Sequence, residues 1–132
     1  MTKKTIFKRG SWEPIVQDDG QQLILFVPIA SGHLSFSIEF SVTDQDLRVL
    51  RENEERYYFL FAYLHRKYQM HPKRSLLQDD DIGLILHGPR HDVENLLTKA
   101  DKTSNGAISN HASKTLVMRQ DNMFNKGIWF SR

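Results

Sequence analysis

The sequence predicts an α+β fold: an antiparallel β-meander of about five strands packed against a cluster of three to four helices, as a single pair of layers. Two observations carry this. Leu34, Phe36, Ile38, Phe40 and Val42 alternate with Ser35, Ser37, Glu39 and Ser41, the period of two that gives a strand one dry and one wet face. At Thr43 the apolar spacing changes to that of a helix. The length of 132 residues and 15.5 kDa is that of one ordinary domain with one core, so residues 1–132 are expected to form a single domain without a linker.

The first strands are read from "WEPIVQ" and "QQLILFVPI", joined through "DDG", where Gly20 can take the positive φ of a tight turn and an Asp can support it. Pro14 places the first of them at a sheet edge. The unbroken apolar run "LILFV" marks the better-covered central strand. Thr43 suits an N-cap, with Asp46 at the capping-box position and Val42 and Leu47 at the staple positions. Asn53 is expected to cap a second helix, since Glu54 and Glu55 open it and His65, Arg66 and Lys67 close it, as the helix dipole favours.

Within that helix "YYFLFAYL" is far short of the roughly 20 residues needed to cross a bilayer. Tyr57, Leu60, Phe61, Leu64 and Tyr68 make one core-facing stripe, while Tyr58, Phe59 and Tyr63 point elsewhere, to be covered by the chain or by a partner. The run Ile82 to Leu86 is compatible with a buried strand or a short helix; three acids before it and Gly88 and Pro89 after it favour the helix. "RHDVENLLTKA" reads as a further helix ended by "DKTSNG". "SKTLVMRQ" and "KGIWFS" are expected to close the domain as a hairpin across "DNMFN".

Hydrophobic residues make up 39% and charged residues 26% of the chain, with a mean hydropathy of −0.51. This balance argues against disorder and against a membrane protein. The absence of cysteine removes disulfides, thiolate metal sites and cysteine nucleophiles, and fits a reducing compartment. The opening "MTKKTIFKRGSWEP" lacks an apolar h-region and does not read as a secretory signal, so the cytoplasm is expected.

No arrangement of residues names a reaction. His87 and His91 stand four apart, but Gly88 and Pro89 between them oppose a helix, and His65 and His71 are spaced to diverge. No metal site is therefore expected. His33 and Glu39 share an exposed strand face and could do acid–base work but read as surface polar residues, Ser35, Ser37 and Ser41 are the wet face of the same strand, and no "GxSxG", Walker or "GxGxxG" motif occurs. No catalytic residue and no cofactor are assigned, and the chain is not read as an enzyme. A net charge of +2 is too weak and too dispersed to imply nucleic acid; a small nucleic-acid-binding or regulatory module is the alternative reading.

The segment Phe36 to Gln69, with Thr43, Asp46, Leu47, Glu55, Arg56, Leu64 and His65, resembles immunity proteins of bacterial contact-dependent growth inhibition and related polymorphic toxin systems. There an alternating strand runs into a "T/S-x-x-D-L" helix start, an acidic and arginine-containing stretch and an aromatic helix ending in "LH". "SNGAIS", Ser104 to Ser109, is similar to the turn such proteins carry after their last helix. The resemblance implies a small α+β protein, encoded beside a toxin, that binds the toxin domain tightly and blocks it without catalysis. Inhibitors of basic nucleases are often clearly acidic, whereas this chain is at +2. That departure points to a docking patch of mixed charge and aromatics, or to binding away from the toxin's active site.

On that expectation the contact residues are those the fold does not require. Asp79, Asp80 and Asp81 come first, as partners for a basic toxin surface, because one helix start needs at most a cap and one or two acids. Arg90, Tyr58 and Tyr63 follow, since Arg and Tyr anchor interfaces disproportionately.

Overall fold

A computed structural model describes residues 4–31, 34–69, 79–116, 124 and 126–130. The fold is α+β. Among the described residues a four-stranded antiparallel meander comprises β1 (Lys4–Lys8), β2 (Ile15–Asp18), β3 (Leu23–Ser31) and β4 (Leu34–Val42), in the order β1-β2-β3-β4. Five helices follow: α1 (Asp44–Glu52), α2 (Glu54–Tyr68), α3 (Asp80–His87), α4 (Arg90–Thr103) and α5 (Ala107–Thr115). No helix among the described residues is long and apolar enough to cross a membrane.

The alternation in β4 is realised. Ile38, Phe40 and Val42 are buried, and Val27, Leu25 and Leu23 of β3 stand opposite them. The turn before β3 uses Gly20 at φ +95°, its N–H donating to Asp18 Oδ1 at 2.8 Å. β3 is an interior strand, paired on both sides, in keeping with its apolar run.

The edge differs from expectation. "WEPIVQ" supplies an interior strand, because Lys4–Lys8 adds outside it, and Pro14 lies just before β2 rather than in the ladder. The edge strand on this side is short, carries Lys4 and Lys8, and is broken by a register shift between Thr5 and Phe7. These are devices that discourage further strand pairing. Arg51 donates to the carbonyl of the displaced Ile6 at 2.9 Å, and Arg9 donates to Leu50 O and Arg51 O at the end of α1. At its other end β3 outruns β2, whose pairing stops at Phe26. The exposed Ala30 backbone beyond it bonds to α2, its N–H donating to His65 Nε2 and its carbonyl accepting from Gln69 Nε2, both at 3.2 Å.

The helix starts follow the residues that mark them. Thr43 Oγ1 accepts from the Asp46 N–H while Asp46 Oδ2 accepts from the Thr43 N–H, a complete capping box. Asn53 ends α1 through its N–H to Val49 O and opens α2 through its side chain, which accepts from the Arg56 N–H. Ile82 to Leu86 is helical, in α3, with Asp79 as N-cap.

Helix α2 is the central column, packed on β3 and on α1, α3, α4 and α5. All residues from Tyr57 to Leu64 are buried, so the rings off the predicted stripe are covered by the chain itself. Phe59 meets Phe124, Trp129 and Phe130 edge-on, at centroid distances of 6.2, 5.7 and 5.2 Å.

The expected closing hairpin is corrected. Ser113, Lys114 and Thr115 belong to α5, and Lys126 to Phe130 form no strand. Residues 117–123 and 125 lie outside the described residues, as do Ser75 to Gln78 before α3. The backbone N–H groups of Trp129 and Phe130 find a different acceptor, the buried Glu94 Oε2 of α4, at 2.7 and 3.0 Å. "SNGAIS" does not follow the last helix either, because α5 begins inside it. Asn105 and Gly106 turn the chain with positive φ, and the buried Asp101 of α4 accepts the Ser109 N–H at 2.7 Å, satisfying a donor in the first turn of α5.

Candidate functional site

The residues singled out as spare acids are largely used by the fold. Asp79, with a side chain only 4% exposed, caps α3, accepts from Tyr68 Oη at 2.6 Å and pairs with Lys67 Nζ at 2.8 Å. Asp81 accepts from Tyr63 Oη and lies 3.3 Å from the same ammonium. Of the triplet, only Asp80 is exposed. Burial opposes ionisation of Asp79, but its bonds from Lys67, Tyr68 and the Asp81 N–H outweigh that and hold its carboxyl below the usual range. Burial and then the bond to Asp81 push the Tyr63 phenol up; Tyr68 is raised by burial and by Asp79.

Tyr63, Asp79 and Asp81 are thus brought together, as an internal clamp between α2 and the start of α3. The other members lie apart. Tyr58 is 9% and Tyr63 8% exposed, so the expectation that they are exposed rings does not hold. Tyr58 turns to Glu13, to which its hydroxyl donates at 2.8 Å, and burial followed by that bond pushes its phenol up to about 12. Arg90 is exposed, its guanidinium lying 5.4 Å from the Phe130 ring centroid beside that of Arg56.

The histidines do separate work. His87 Nε2 is 2.6 Å from Asp46 Oδ1, and His91 Nε2 is 3.3 Å from the Asn95 amide. His33 and His71 lie outside the described residues. Among the described residues no group of three or more His, Asp or Glu could hold a metal ion.

The main concave surface is a trough along α2 and α5. Its first part, a cleft of about 610 Å³, has Ile29, Pro28, Phe36 and Phe61 among its apolar walls, with Trp12 at one side and His65, His111 and Lys114 at the other. The same three residues of α2 and α5 line a second cleft of about 280 Å³, which adds Arg66, Ala62 and Asn110. Arg66 in turn lines a third, of about 400 Å³, with Leu96, Lys99, Ala100 and Ile108. The clefts thus adjoin, the first and second sharing His65, His111 and Lys114 and the second and third sharing Arg66.

Trp12 is the exposed large hydrophobic side chain among the described residues, at 82%. Its φ of +61° is a conformation bulky residues rarely adopt. The His65 and His111 rings lie 4.9 Å apart, and His111 sits edge-on to Phe61 at 4.5 Å. Burial, assisted by His65 and Lys114, pushes the His111 imidazole down to about 4; burial lowers His65 as well. Both rings are therefore neutral near pH 7.

The trough's uncompensated positive charge comes from Arg66, Lys99 and Lys114, all exposed and with no ion-pair partner among the described residues. Lys67, at the third cleft, is neutralised by Asp79 and Asp81. Burial opposes its charge, but the two carboxylates outweigh burial and raise it.

Sequence reasoning missed this site for identifiable reasons. His111 and Lys114 belong to a helix whose buried apolar residues, among those described, are Ile108 and Ala112, with Leu116 at its C-cap, too sparse to stand out among serines. Arg66 is accounted for by the helix dipole alone. Trp12 has one usable signal, a large ring between Gly10, Ser11 and Pro14, outside any alternating or helical pattern.

No protein-family model matches the chain, and no curated protein or solved structure matches it either.

Proposed function

We infer that this is an immunity-type binding protein, working in the cytoplasm, that holds a cognate toxin domain by protein contact and blocks it without chemistry of its own. The observation that carries the reading is Trp12. A tryptophan 82% exposed at φ +61° loses its hydrophobic burial and bears backbone strain of about 1 to 2 kcal/mol. Both costs are offset if the ring becomes the buried anchor of an interface, the role in which tryptophan is most over-represented. The adjoining trough supplies an apolar surface with a charged rim, the anatomy of a protein–protein interface. The resemblance of Phe36 to Gln69 to immunity proteins supplies the class of partner.

The test is co-expression with the C-terminal domain encoded by the gene immediately upstream. Rescue of cell growth and co-purification of the two chains are expected, with Trp12→Ala weakening the complex by about thirtyfold or more. Absence of rescue removes the reading.

A further inference from the structure

The geometry points to an acidic peptide segment, with apolar residues interleaved among its carboxylates, as the occupant of the trough along α2 and α5. This rests on reading the trough as a docking surface and names the chemistry of what docks there. The expectation from the sequence had the opposite sign, a basic partner drawn to Asp79, Asp80 and Asp81. Two of those acids are instead consumed by Lys67, Tyr63 and Tyr68. Arg66, Lys99 and Lys114 are among the exposed cations that have no ion-pair partner among the described residues. Each lines the trough, and Arg66 stands in the part shared by the second and third clefts.

No carboxylate lines those two clefts among the described residues. In the first the carboxylate is Glu13, which is engaged by Tyr58. A bound carboxylate would thus meet cations without displacing an internal partner, and interface ion pairs of this kind fix partner choice and speed encounter.

The floor decides between a peptide and a nucleic acid. Phe61 of the first cleft, Ala62 of the second and Ile108 of the third are buried, and Leu96 and Ala100 line the third as well, which suits aliphatic side chains. A nucleic-acid track instead needs successive exposed aromatic platforms beside its cations, and the trough offers one, Trp12.

The experiment measures fluorescence anisotropy of three labelled probes: a short peptide of glutamates with interspersed leucines, its counterpart with lysine in place of glutamate, and oligothymidylate. The protein is the full chain and its triple variant Arg66→Glu, Lys99→Glu, Lys114→Glu. The expected result is saturable binding of the glutamate peptide, weakening as salt rises and lost by at least about tenfold in the variant, with the lysine peptide unbound. All three positions are exposed, so the thermal midpoint is expected to hold; if it falls, the triple Gln variant is read instead. No binding of the glutamate peptide, equal binding by the variant, or tighter binding of oligothymidylate each overturns the proposal. Failed toxin rescue with the glutamate peptide bound removes the immunity reading alone. Successful rescue with affinities unmoved by the triple variant removes this inference alone.

Discussion

Tyr68 of α2 donates to Asp79 Oδ2 at 2.6 Å, and the residue that accepts is the N-cap of α3. One carboxylate therefore stabilises a helix start and ties that start to the end of the central helix. Replacing Asp79 by Ala removes the cap, the Tyr68 bond and the Lys67 pair together, at an expected cost of about 2 to 4 kcal/mol. Asp80→Ala, at the exposed neighbour, is expected to cost less than about 0.5 kcal/mol. Urea denaturation of the two variants separates them, and equal losses would sink the clamp. Because the folded Asp79 carboxyl lies below its ordinary value of 3.8, its stabilisation is present at neutral pH and disappears as pH falls through the folded value.

Glu94 is the acceptor for the backbone of Trp129 and Phe130. Glu94→Ala leaves two buried donors unsatisfied, an expected loss of about 2 to 5 kcal/mol. Glu94→Gln, which keeps one oxygen, is expected to lose less. Intrinsic fluorescence in a Trp12→Phe background reports on Trp129 alone. A red shift in the Ala variant marks release of the segment, and unchanged emission would contradict the role given to Glu94.

His111 makes stability depend on pH in a definite window. Its folded value of about 4 lies below the ordinary 6.5, so between these the unfolded chain binds more protons and stability rises with pH. On acidification from 6.5 toward 4 the contribution is lost; by linkage it is at most about 3 kcal/mol, less for the part of the ring that solvent screens. Carboxylates titrate at the lower end of this range too, so the readout is the difference between wild type and His111→Gln. Midpoints of urea unfolding followed from pH 7 to 4.5 should fall more steeply for wild type; parallel curves would refute the assignment.

Trp12→Gly relaxes a positive-φ position but also adds freedom to the unfolded chain, so the two effects nearly cancel and stability should change by less than about 1 kcal/mol. Partner affinity should nevertheless fall sharply. A large loss of stability would mean that Trp12 serves the fold, leaving it no surplus role in binding.

Much of the fold is legible in the sequence because local chemistry and tertiary packing agree there. Val42, Thr43, Asp46 and Leu47 carry the signals of a helix start, and the alternation before them is that of a half-buried strand. The errors fall where the backbone is satisfied by distant groups. Lys4–Lys8 has no alternation to show because it is a bulged edge, and Trp129 and Phe130 bond to a carboxylate 35 residues or more away. The site was less readable still, since whether Arg66 or Asp79 carries spare charge depends on which of them folding neutralises.

The end of β3 beyond Phe26 is a strand edge closed by side chains. Ala30 gives its N–H to His65 and its carbonyl to Gln69, while Pro28, on the same side of the pleat, has no N–H to offer. His65 accepts through the Nε2 lone pair, which a proton would occupy. Protonation of that ring would remove one of the two bonds that cover this edge and leave the Ala30 N–H open to another acceptor, while the Gln69 bond stays.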